Sequence, residues 1–191
     1  MSEWDKKRGL MQRYNLTAHL YDMRYAEEQN VKFDVALKNV TLEGQGLILD
    51  VGCGTGLLFN RIAEKTETVV GLDFSKKLLF EAKKRGRKIR NVHLVLADAD
   101  NMPFKEDVFD RVFAFTVVQN TPNPAETLRE IKRVAKNGAV MAVTGLKRVF
   151  NLEEFRRLLC DAGLEIVGLE SDGEELKCHV AVCRISYVKP S

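Results

Sequence analysis

Leu49-Asp50-Val51-Gly52-Cys53-Gly54-Thr55-Gly56 is the stretch that decides the fold of this chain. Residues 46–51 are almost entirely apolar, which is typical of a strand buried on both faces of a parallel sheet. Three glycines at alternate positions follow, and an apolar pattern at helical spacing begins at Leu57. Glycine adopts backbone angles that a Cβ forbids, and it lets a ligand approach the main chain closely. Strand, glycine turn and helix in this order predict a nucleotide or nucleoside site at the carboxyl edge of a parallel sheet.

Six further strands are predicted from apolar, β-rich runs at residues 68–72, 92–97, 111–118, 139–144, 164–170 and 176–188. The first four alternate with helical patterns, as in a parallel sheet built from crossover units. The last two are separated by a short turn region, Ser171-Asp172-Gly173, which predicts a hairpin. The fold class is therefore α/β, a doubly wound, mostly parallel seven-stranded sheet with an antiparallel C-terminal hairpin.

Polar residues predict where three of the helices begin. Ser75, Asn123 and Asn151 each stand in front of a helical pattern, and Pro124 and Glu154 strengthen the second and third of these signals. Glycines at 86 and 138 predict the ends of the first two helices.

The N-terminal residues 14–40 read as one helix. Tyr14, Ala18, Tyr21 and Tyr25 are spaced by four, three and four, so we expect them on one helix face. Such an aromatic stripe either packs on the core or forms a lid over a ligand, and the spacing alone favours the core.

The composition describes a globular domain with reduced thiols. With 191 residues, 45% of them hydrophobic and 30% charged, the chain is large enough for a core of its own. It has no apolar run near the roughly 20 residues that span a bilayer, so we expect no membrane insertion. Four cysteines without a Cys-x-x-Cys pair, and only three histidines, predict no zinc or other metal site and a cytoplasmic location.

One segment is strongly basic. Residues 76–90 carry eight lysines and arginines against Glu81 alone, although the net charge of the chain is only +3. Such a segment either attracts a polyanion such as RNA or forms the solvated face of a surface helix, and the second interpretation is favoured.

Three acids stand at predicted strand ends. Asp50, Asp73 and Asp98 end the first three strands, and parallel strands present their carboxyl ends to one crevice. Asp73 follows Asp50 by 23 residues, close to the spacing at which an acid accepts hydrogen bonds from a ribose. Together with the glycine turn, the three acids favour a nucleoside.

The glycine spacing limits which nucleoside derivative fits. A dinucleotide motif requires glycine at position 57, where this chain has leucine, and no Gly-Lys-Ser/Thr follows for an ATP phosphate. A cationic nucleoside, S-adenosylmethionine, suits the acid at Asp50 better than an anionic phosphate does.

The sequence resembles the class I S-adenosylmethionine-dependent methyltransferases, most closely the branch of ubiquinone/menaquinone C-methyltransferases, also called type 11. Five segments carry the resemblance in the family's order, from a Tyr-Asp-x-x-Ala-x-x-Tyr-Asp-like element to the helix before the fifth strand: residues 14–22, 49–56, 69–75, 97–114 and 130–138. The resemblance implies a single domain over residues 1–191, with residues 1–40 as a helical lid and residues 41–191 as the cofactor-binding core.

The resemblance also implies roles for individual residues. Asp50 and the first glycines would border the methionine end of the cofactor, Asp73 would bind the ribose, Asp98 would accept from the adenine amino group, and Tyr14 would close over the cofactor. The implied cofactor-binding residues are Tyr14, Asp50, Gly52, Cys53, Gly54, Gly56, Asp73, Phe74, Asp98, Ala99, Asp100 and Thr116. Cys53 is expected to contribute packing, with no role as a nucleophile.

The acceptor is expected beside the end of the fourth strand. Gln119 and Asn120 lie there as candidates for substrate contact or for pairing with the backbone, and Tyr21 is a third candidate. The sequence assigns no general base, because the histidine that this branch often carries near the site is absent.

The expected function is methyl transfer to a small molecule. The alternatives are methylation of RNA or of a translation component, through the basic segment and with a partner subunit, and a non-catalytic cofactor-binding scaffold. No DNA partner is expected.

Overall fold

A computed structural model describes residues 2–42, 44–173 and 175–187, without the side chains of residues 19 and 45. The α-helices within these residues are α1 (Glu3–Thr17), α2 (Tyr21–Leu37), α3 (Phe59–Ile62), α4 (Lys76–Gly86), α5 (Pro124–Val134) and α6 (Leu152–Asp161). The strands are β1 (Gln45–Val51), β2 (Thr66–Asp73), β3 (Val92–Leu96), β4 (Phe109–Ala114), β5 (Ala135–Leu146), β6 (Leu164–Glu170) and β7 (Cys178–Ile185).

The seven strands form one sheet in the order β3-β2-β1-β4-β5-β7-β6. Strands β1 to β5 run parallel, and β7 pairs antiparallel with both β5 and β6. The predicted fold class is thereby confirmed. Because the chain order reverses between β1 and β4, a crevice opens there at the carboxyl ends of the strands.

Helices cover both faces of the sheet. Residues of β1 alternate between the two faces, so Leu49 packs in the cluster with α5 and α6, whereas Ile48 packs in the cluster with α2, α3 and α4. Phe155 of α6 and Phe59 of α3 are fully buried anchors of these two clusters. The two layers hold the carboxyl edge of the sheet in place.

Each predicted helix start is confirmed by a side-chain cap. Ser75 accepts from the N–H of Leu78, Asn123 accepts from Glu126, and Asn151 forms a capping box with Glu154. These short polar side chains satisfy backbone donors that a helix leaves free at its first turn.

The boundaries at the carboxyl side of β4 and around β5 were predicted wrongly. β4 ends at Ala114, because Thr116 turns the chain with φ of 62° and residues 118–120 form a 3₁₀ turn. The apolar residues after Ala114 are buried although they are not in a strand. Gly138, with φ of 82°, lies inside β5 and does not end α5, and it accompanies a shift in the pairing of β4 with β5.

The helix predictions at residues 14–40 and after the glycine turn were wrong in extent. A 3₁₀ turn at residues 18–20 separates α1 from α2, so Tyr14 lies on a different helix from Tyr21 and Tyr25. The rings still lie close together, with that of Tyr21 6.2 Å from Tyr14 and 5.0 Å from Tyr25. Helix α3 has four residues, and Gly86 is the last residue of α4 rather than the residue that caps it.

No helix in the described ranges combines the length and the apolar character needed to cross a membrane. The same residues contain no cluster of three or more histidine, cysteine, aspartate or glutamate side chains arranged to hold a metal ion.

Candidate functional site: a nucleoside cavity and an adjoining groove

The glycine turn after β1 requires glycine for two different reasons. Gly52, Gly54 and Gly56 all have positive φ, at 66°, 56° and 76°, where a Cβ is disfavoured. A Cβ on Gly52 would lie 2.7 Å from the side chain of Val117, and one on Gly56 would lie 2.4 Å from the ring of Phe59. At Gly54 the nearest atom would be 3.8 Å away, on the ring of Tyr21. Gly54 therefore leaves open space beside the main chain.

Asp73 is held rigidly at the end of β2. One carboxylate oxygen accepts from the N–H of Gly54 at 3.0 Å, and the other accepts from the N–H of Ser75 at 2.8 Å. Burial raises the pKa of Asp73 to about 6, against backbone hydrogen bonds that lower it. Because each oxygen has two lone pairs, the carboxylate retains acceptor capacity toward a ligand.

The ionisation of Asp73 should appear in the pH dependence of stability. Its native pKa of about 6 lies above its ordinary value of 3.8. Between these values the native state binds more protons than the unfolded state, so this group lowers stability as the pH rises. Asp73→Asn removes this loss of stability with rising pH. The free energy of unfolding of the variant minus that of the wild type, measured by urea denaturation, should therefore increase from about pH 4 to about pH 7.

The exposed Asp161 provides the matched control, because Asp161→Asn changes the same chemical group away from the crevice. Its stability relative to the wild type should not change over the same pH range. A constant or falling difference for Asp73→Asn would contradict the raised pKa.

The residues after β3 form an ion-paired cluster. Asp98 and Asp100 both contact the ammonium of Lys7 at 2.6 Å, and the N–H of Asp100 donates to Asp98 at 3.0 Å. Asp100 also accepts from the hydroxyl of Thr127. Burial opposes the charge of Lys7, but the two carboxylates outweigh it and raise the pKa of that side chain. Helix α1 is thus tied to the edge of the sheet.

These strand ends enclose one cavity, which we call the strand-end cavity. The predicted site residues that line it are Tyr14, Tyr21, Gly52, Gly54, Asp73, Phe74, Asp98, Ala99, Thr116 and Asn120. Lys7 and Leu10 of α1 close its outer side. Its volume is about 80 Å³, below the roughly 300–1,000 Å³ of small-molecule sites. The cavity in this conformation is therefore smaller than a typical nucleoside site.

Asp50 and Cys53 lie outside this cavity, contrary to the expectation that all three acids border one space. They line a smaller cavity behind the glycine turn, which shares Tyr21 and Gly54 with the first. Burial, and then the charge of Asp73, raise the pKa of Asp50 well above its ordinary value. Burial also raises the pKa of the Cys53 thiol, and the side chain packs in the core cluster as expected.

The remaining predicted residues lie at the margins. Gly56 packs against Phe59 and lines no described cavity, and Asp100 faces Lys7 and Thr127 rather than the cavity. Gln119 lies away from the strand-end cavity and lines a second, larger cavity.

The second cavity adjoins the first and is called the outer groove. It has a volume of about 910 Å³ and is lined by residues of α1 and α2, residues 116, 119 and 120, residues 146–149, and Lys177. Tyr14, Tyr21, Thr116 and Asn120 line both spaces. These four residues form the wall that the two spaces share.

Thr116 is fixed between the two cavities by a buried polar network. Its hydroxyl contacts the side-chain nitrogens of Lys32 and Gln29, each at 3.1 Å, and its N–H donates to Thr144 at 2.8 Å. Lys32 is 1% exposed and forms an ion pair with Glu28 at 2.7 Å. A positive φ costs free energy at a threonine. The hydrogen bonds of Thr116 with Lys32, Gln29 and Thr144 stabilise this strained turn at the end of β4.

The three candidates for acceptor contact have different surroundings. Asn120 donates to the hydroxyl of Tyr14 at 3.2 Å and to the carbonyl of Thr116 at 2.7 Å. Burial raises the pKa of Tyr21, so its phenol remains protonated and is not a base at neutral pH. The Oε1 atom of Gln119 is buried and has no hydrogen-bond partner within the described residues.

Several functional contacts had only weak sequence signals. Gln29 and Lys32 are polar residues at i and i+3 beside buried Phe33, a pattern that indicates a buried polar pair on α2. Lys7 had no such signal, because its partner Asp98 lies 91 residues away.

The basic segment 76–90 lies on α4 and the turn after it. None of its eight cations lines the strand-end cavity or the outer groove. Arg85 pairs with Asp22, and Lys84 pairs with Glu81. The cationic side chains of the segment therefore lie away from both cavities, although Leu78 on its buried side lines the strand-end cavity.

Comparison with known proteins identifies the family. A family model described as a methyltransferase domain matches residues 49–143, about half of the chain. A malonyl-[acyl-carrier protein] O-methyltransferase of Marinomonas sp. (strain MWYL1) is 30% identical over 144 residues, covering 74% of this chain and 53% of that protein. A demethylmenaquinone methyltransferase of Staphylococcus saprophyticus is 32% identical over 108 residues, covering 55% and 46%. The chain belongs to the class I S-adenosylmethionine-dependent methyltransferases.

This methyltransferase-family chain spans about half the length of the curated relatives that it matches. Its fold is also that of the crystal structure of the [4+2]-cyclase SpnF, with a TM-score of 0.80 at 20% identity over 93% of this chain and 95% of that one. At this identity the likeness shows the fold alone.

The strand-end cavity suits the family's cofactor. A buried carboxylate at Asp73 retains acceptor capacity, the carboxyl group of Asp98 lines the same space, and the main chain at Gly54 is open to a ligand. Carboxylate oxygens are suitable acceptors for ribose hydroxyls and an adenine amino group.

Proposed function

We propose that this chain uses S-adenosylmethionine to methylate a small-molecule acceptor that binds in the outer groove. The observation that carries the proposal is the convergence of Asp73, Asp98 and the glycine turn on one cavity that opens, through Tyr14, Tyr21, Thr116 and Asn120, into that groove. When bound, the cofactor supplies an electrophilic methyl group on a sulfonium, which leaves as a neutral thioether.

The strand-end residues would bind the cofactor in the order in which they follow the strands. Asp73 would accept from the ribose hydroxyls, and Asp98 would accept from the adenine amino group while the N–H of Ala99 meets a ring nitrogen. The buried carboxyl group of Asp50 would face the cationic methionine end from behind Gly52 and Gly54, with which it shares the smaller cavity. Phe74, which packs edge-on against Tyr14, would contact the nucleoside.

Helix α1 would act as a lid, within a single domain of residues 1–191. None of its residues is fully buried, although Lys7, Leu10 and Tyr14 reach the cavity. Opening would break the ion pairs of Lys7 with Asp98 and Asp100, but it would expose no fully buried side chain of α1. Opening would admit the cofactor, and closure would exclude water and hold the acceptor in line, an alignment that is worth roughly 7–11 kcal/mol in favourable cases.

The groove residues would position the acceptor rather than take its proton. Tyr21 would donate a hydrogen bond and Gln119 would accept one. The amide nitrogen of Asn120 is already bonded to Tyr14 and Thr116, so this residue would offer only its oxygen as an acceptor. Because the leaving group is neutral and good, positioning and water exclusion supply most of what the reaction requires.

Two other functions are alternatives, and each predicts a different result in the labelling experiment below. RNA methylation would use the basic surface of residues 76–90, yet those side chains line neither cavity. A non-catalytic cofactor-binding role is the other alternative, since a protein named as a cyclase shares this fold.

The test is the transfer of a labelled methyl group. The chain is incubated with methyl-labelled S-adenosylmethionine and separated small-molecule, RNA, protein and lipid extracts, and the label in each is measured. We expect label in the small-molecule extract, loss of that label with Asp73→Ala, and retention with Asp161→Ala. Label in RNA, protein or lipid would contradict the small-molecule acceptor. Cofactor binding without any labelled fraction would support the scaffold alternative.

A further inference from the structure

We propose that the acceptor of the outer groove is an anion, an aromatic carboxylate or phosphate ester, which the groove recognises by its charge and its flat ring. This inference rests on the methyltransferase function proposed above and specifies the class of its substrate.

The groove carries an excess of positive charge. Five cationic side chains line it, Arg13, Arg24, Lys147, Arg148 and Lys177, against the single acid Glu28. Within the described residues only Lys177 among these five forms an ion pair, at 3.5 Å from Glu28. Arg13, Arg24, Lys147 and Arg148 are exposed, so they are free to pair with a ligand.

The negative charge of Glu28, the one acid that lines the groove, is already balanced by a buried lysine. Glu28 contacts the buried ammonium of Lys32 at 2.7 Å, and its two cationic neighbours lower its pKa in spite of burial, which raises it. Its charge therefore does not cancel those of the arginines. A low-dielectric wall lined by one sign of charge concentrates ions of the opposite sign.

One wall of the groove is aromatic. The rings of Tyr21 and Tyr25 lie 5.0 Å apart, and that of Tyr14 lies 6.2 Å from Tyr21. Such rings favour a flat, apolar ligand body by stacking or edge contact. Arginine is also the residue best suited to planar, bidentate pairing with a carboxylate or phosphate.

A buried polar atom in the same groove lacks a partner. The Oε1 atom of Gln119 makes no hydrogen bond within the described part of the chain, and buried acceptors are almost always satisfied. A hydroxyl or amino group on the ligand would satisfy it once the amide, which is shielded from solvent here, turned toward the groove. The site therefore has three complementary features: positive charge, an aromatic wall and one hydrogen-bond acceptor.

The size of the groove favours a small anion over a polymer. Its volume of about 910 Å³ lies within the roughly 300–1,000 Å³ of small-molecule sites. It also shares four residues with the strand-end cavity, so a ligand bound there lies beside the proposed cofactor site.

The experiment compares matched probes on the full chain with S-adenosylhomocysteine present. Benzoate and phenyl phosphate are the anionic probes, and benzamide is the neutral probe of similar shape; binding is followed by chemical-shift titration. We expect at least one anion to bind about tenfold more tightly than benzamide, and added salt to reduce the difference. Arg24→Ala/Arg148→Ala should abolish the preference. The control Lys88→Ala/Arg90→Ala, which removes the same charge from the basic segment, should retain it.

The outcomes separate this inference from the function on which it rests. Equal binding of benzoate, phenyl phosphate and benzamide, or a preference that survives Arg24→Ala/Arg148→Ala, would overturn the anionic acceptor. Fractionating the small-molecule extract by charge before the reaction provides the second readout: label taken up by the anionic fraction supports the inference. Label taken up only by the neutral fraction overturns it while the methyltransferase function stands, and failure to bind the cofactor overturns both. The preference for phenyl phosphate over benzoate, or the reverse, identifies the anion.

Discussion

Replacing Asp73 with alanine is expected to weaken the binding of S-adenosylmethionine about 5- to 150-fold, or about 1–3 kcal/mol. The proposed ribose contacts are hydrogen bonds to a charged, buried acceptor, which are stronger than those between neutral groups. The substitution also removes the acceptor for the N–H groups of Gly54 and Ser75. The glycine turn and the start of α4 would then lose their common anchor.

Calorimetric titration of the full chain with the cofactor measures this loss. Asp161→Ala is the control, since it removes an exposed aspartate at the end of α6 and should bind the cofactor as the wild type does. The affinity of Asp73→Ala should fall while the chain stays folded, because removal of the buried carboxylate also removes its desolvation cost, which offsets part of the loss of its two backbone hydrogen bonds. An unchanged dissociation constant for Asp73→Ala would rule out the proposed role of Asp73 in ribose binding.

Gly56→Ala is expected to lower the free energy of unfolding by about 2–5 kcal/mol, the sum of backbone strain and overpacking. Gly56 has φ of 76°, and a Cβ there would lie 2.4 Å from the buried ring of Phe59. The ring cannot retreat, because it is fully buried in the core cluster. Both costs act on the same residue.

Comparison with Gly138→Ala separates the cost of backbone strain from the cost of overpacking. Gly138 has a similar φ of 82°, but a Cβ there would meet nothing within 4 Å. It should therefore show only the strain, about 1–2 kcal/mol. Urea denaturation of both variants gives the comparison, and an equal loss of stability in both would show that contact with Phe59 contributes nothing.

Local chemistry made much of the fold predictable. The caps at Ser75, Asn123 and Asn151 use side chains that satisfy helix donors within three residues, so their signal lies in adjacent sequence. The parallel character of the first five strands followed from the alternation of strands and helices. The placing of Asp73 and Asp98 on one cavity followed from their positions at or just after the ends of β2 and β3, because parallel strand ends converge near the switch point.

Features that depend on distant contacts were not predictable in this way. Phe115 and Val117 are buried in a loop, so their apolar character extended the predicted β4 too far. Asp50 faces the back of the glycine turn, because alternate residues of β1 point to opposite faces. Lys7 pairs with Asp98, which is 91 residues away in the sequence, so no local pattern indicates the contact. The positive charge of the outer groove is assembled from four separate parts of the chain.

The most direct test of the shared strand-end site is backbone hydrogen exchange with and without S-adenosylhomocysteine. The account predicts that the ligand protects three separated segments together: the turn at Gly52–Gly56, the amides that follow Asp73, and those at Ala99 and Asp100. Protection confined to one segment, protection only in residues 76–90, or no protection at saturating ligand would contradict a single nucleoside site at these strand ends.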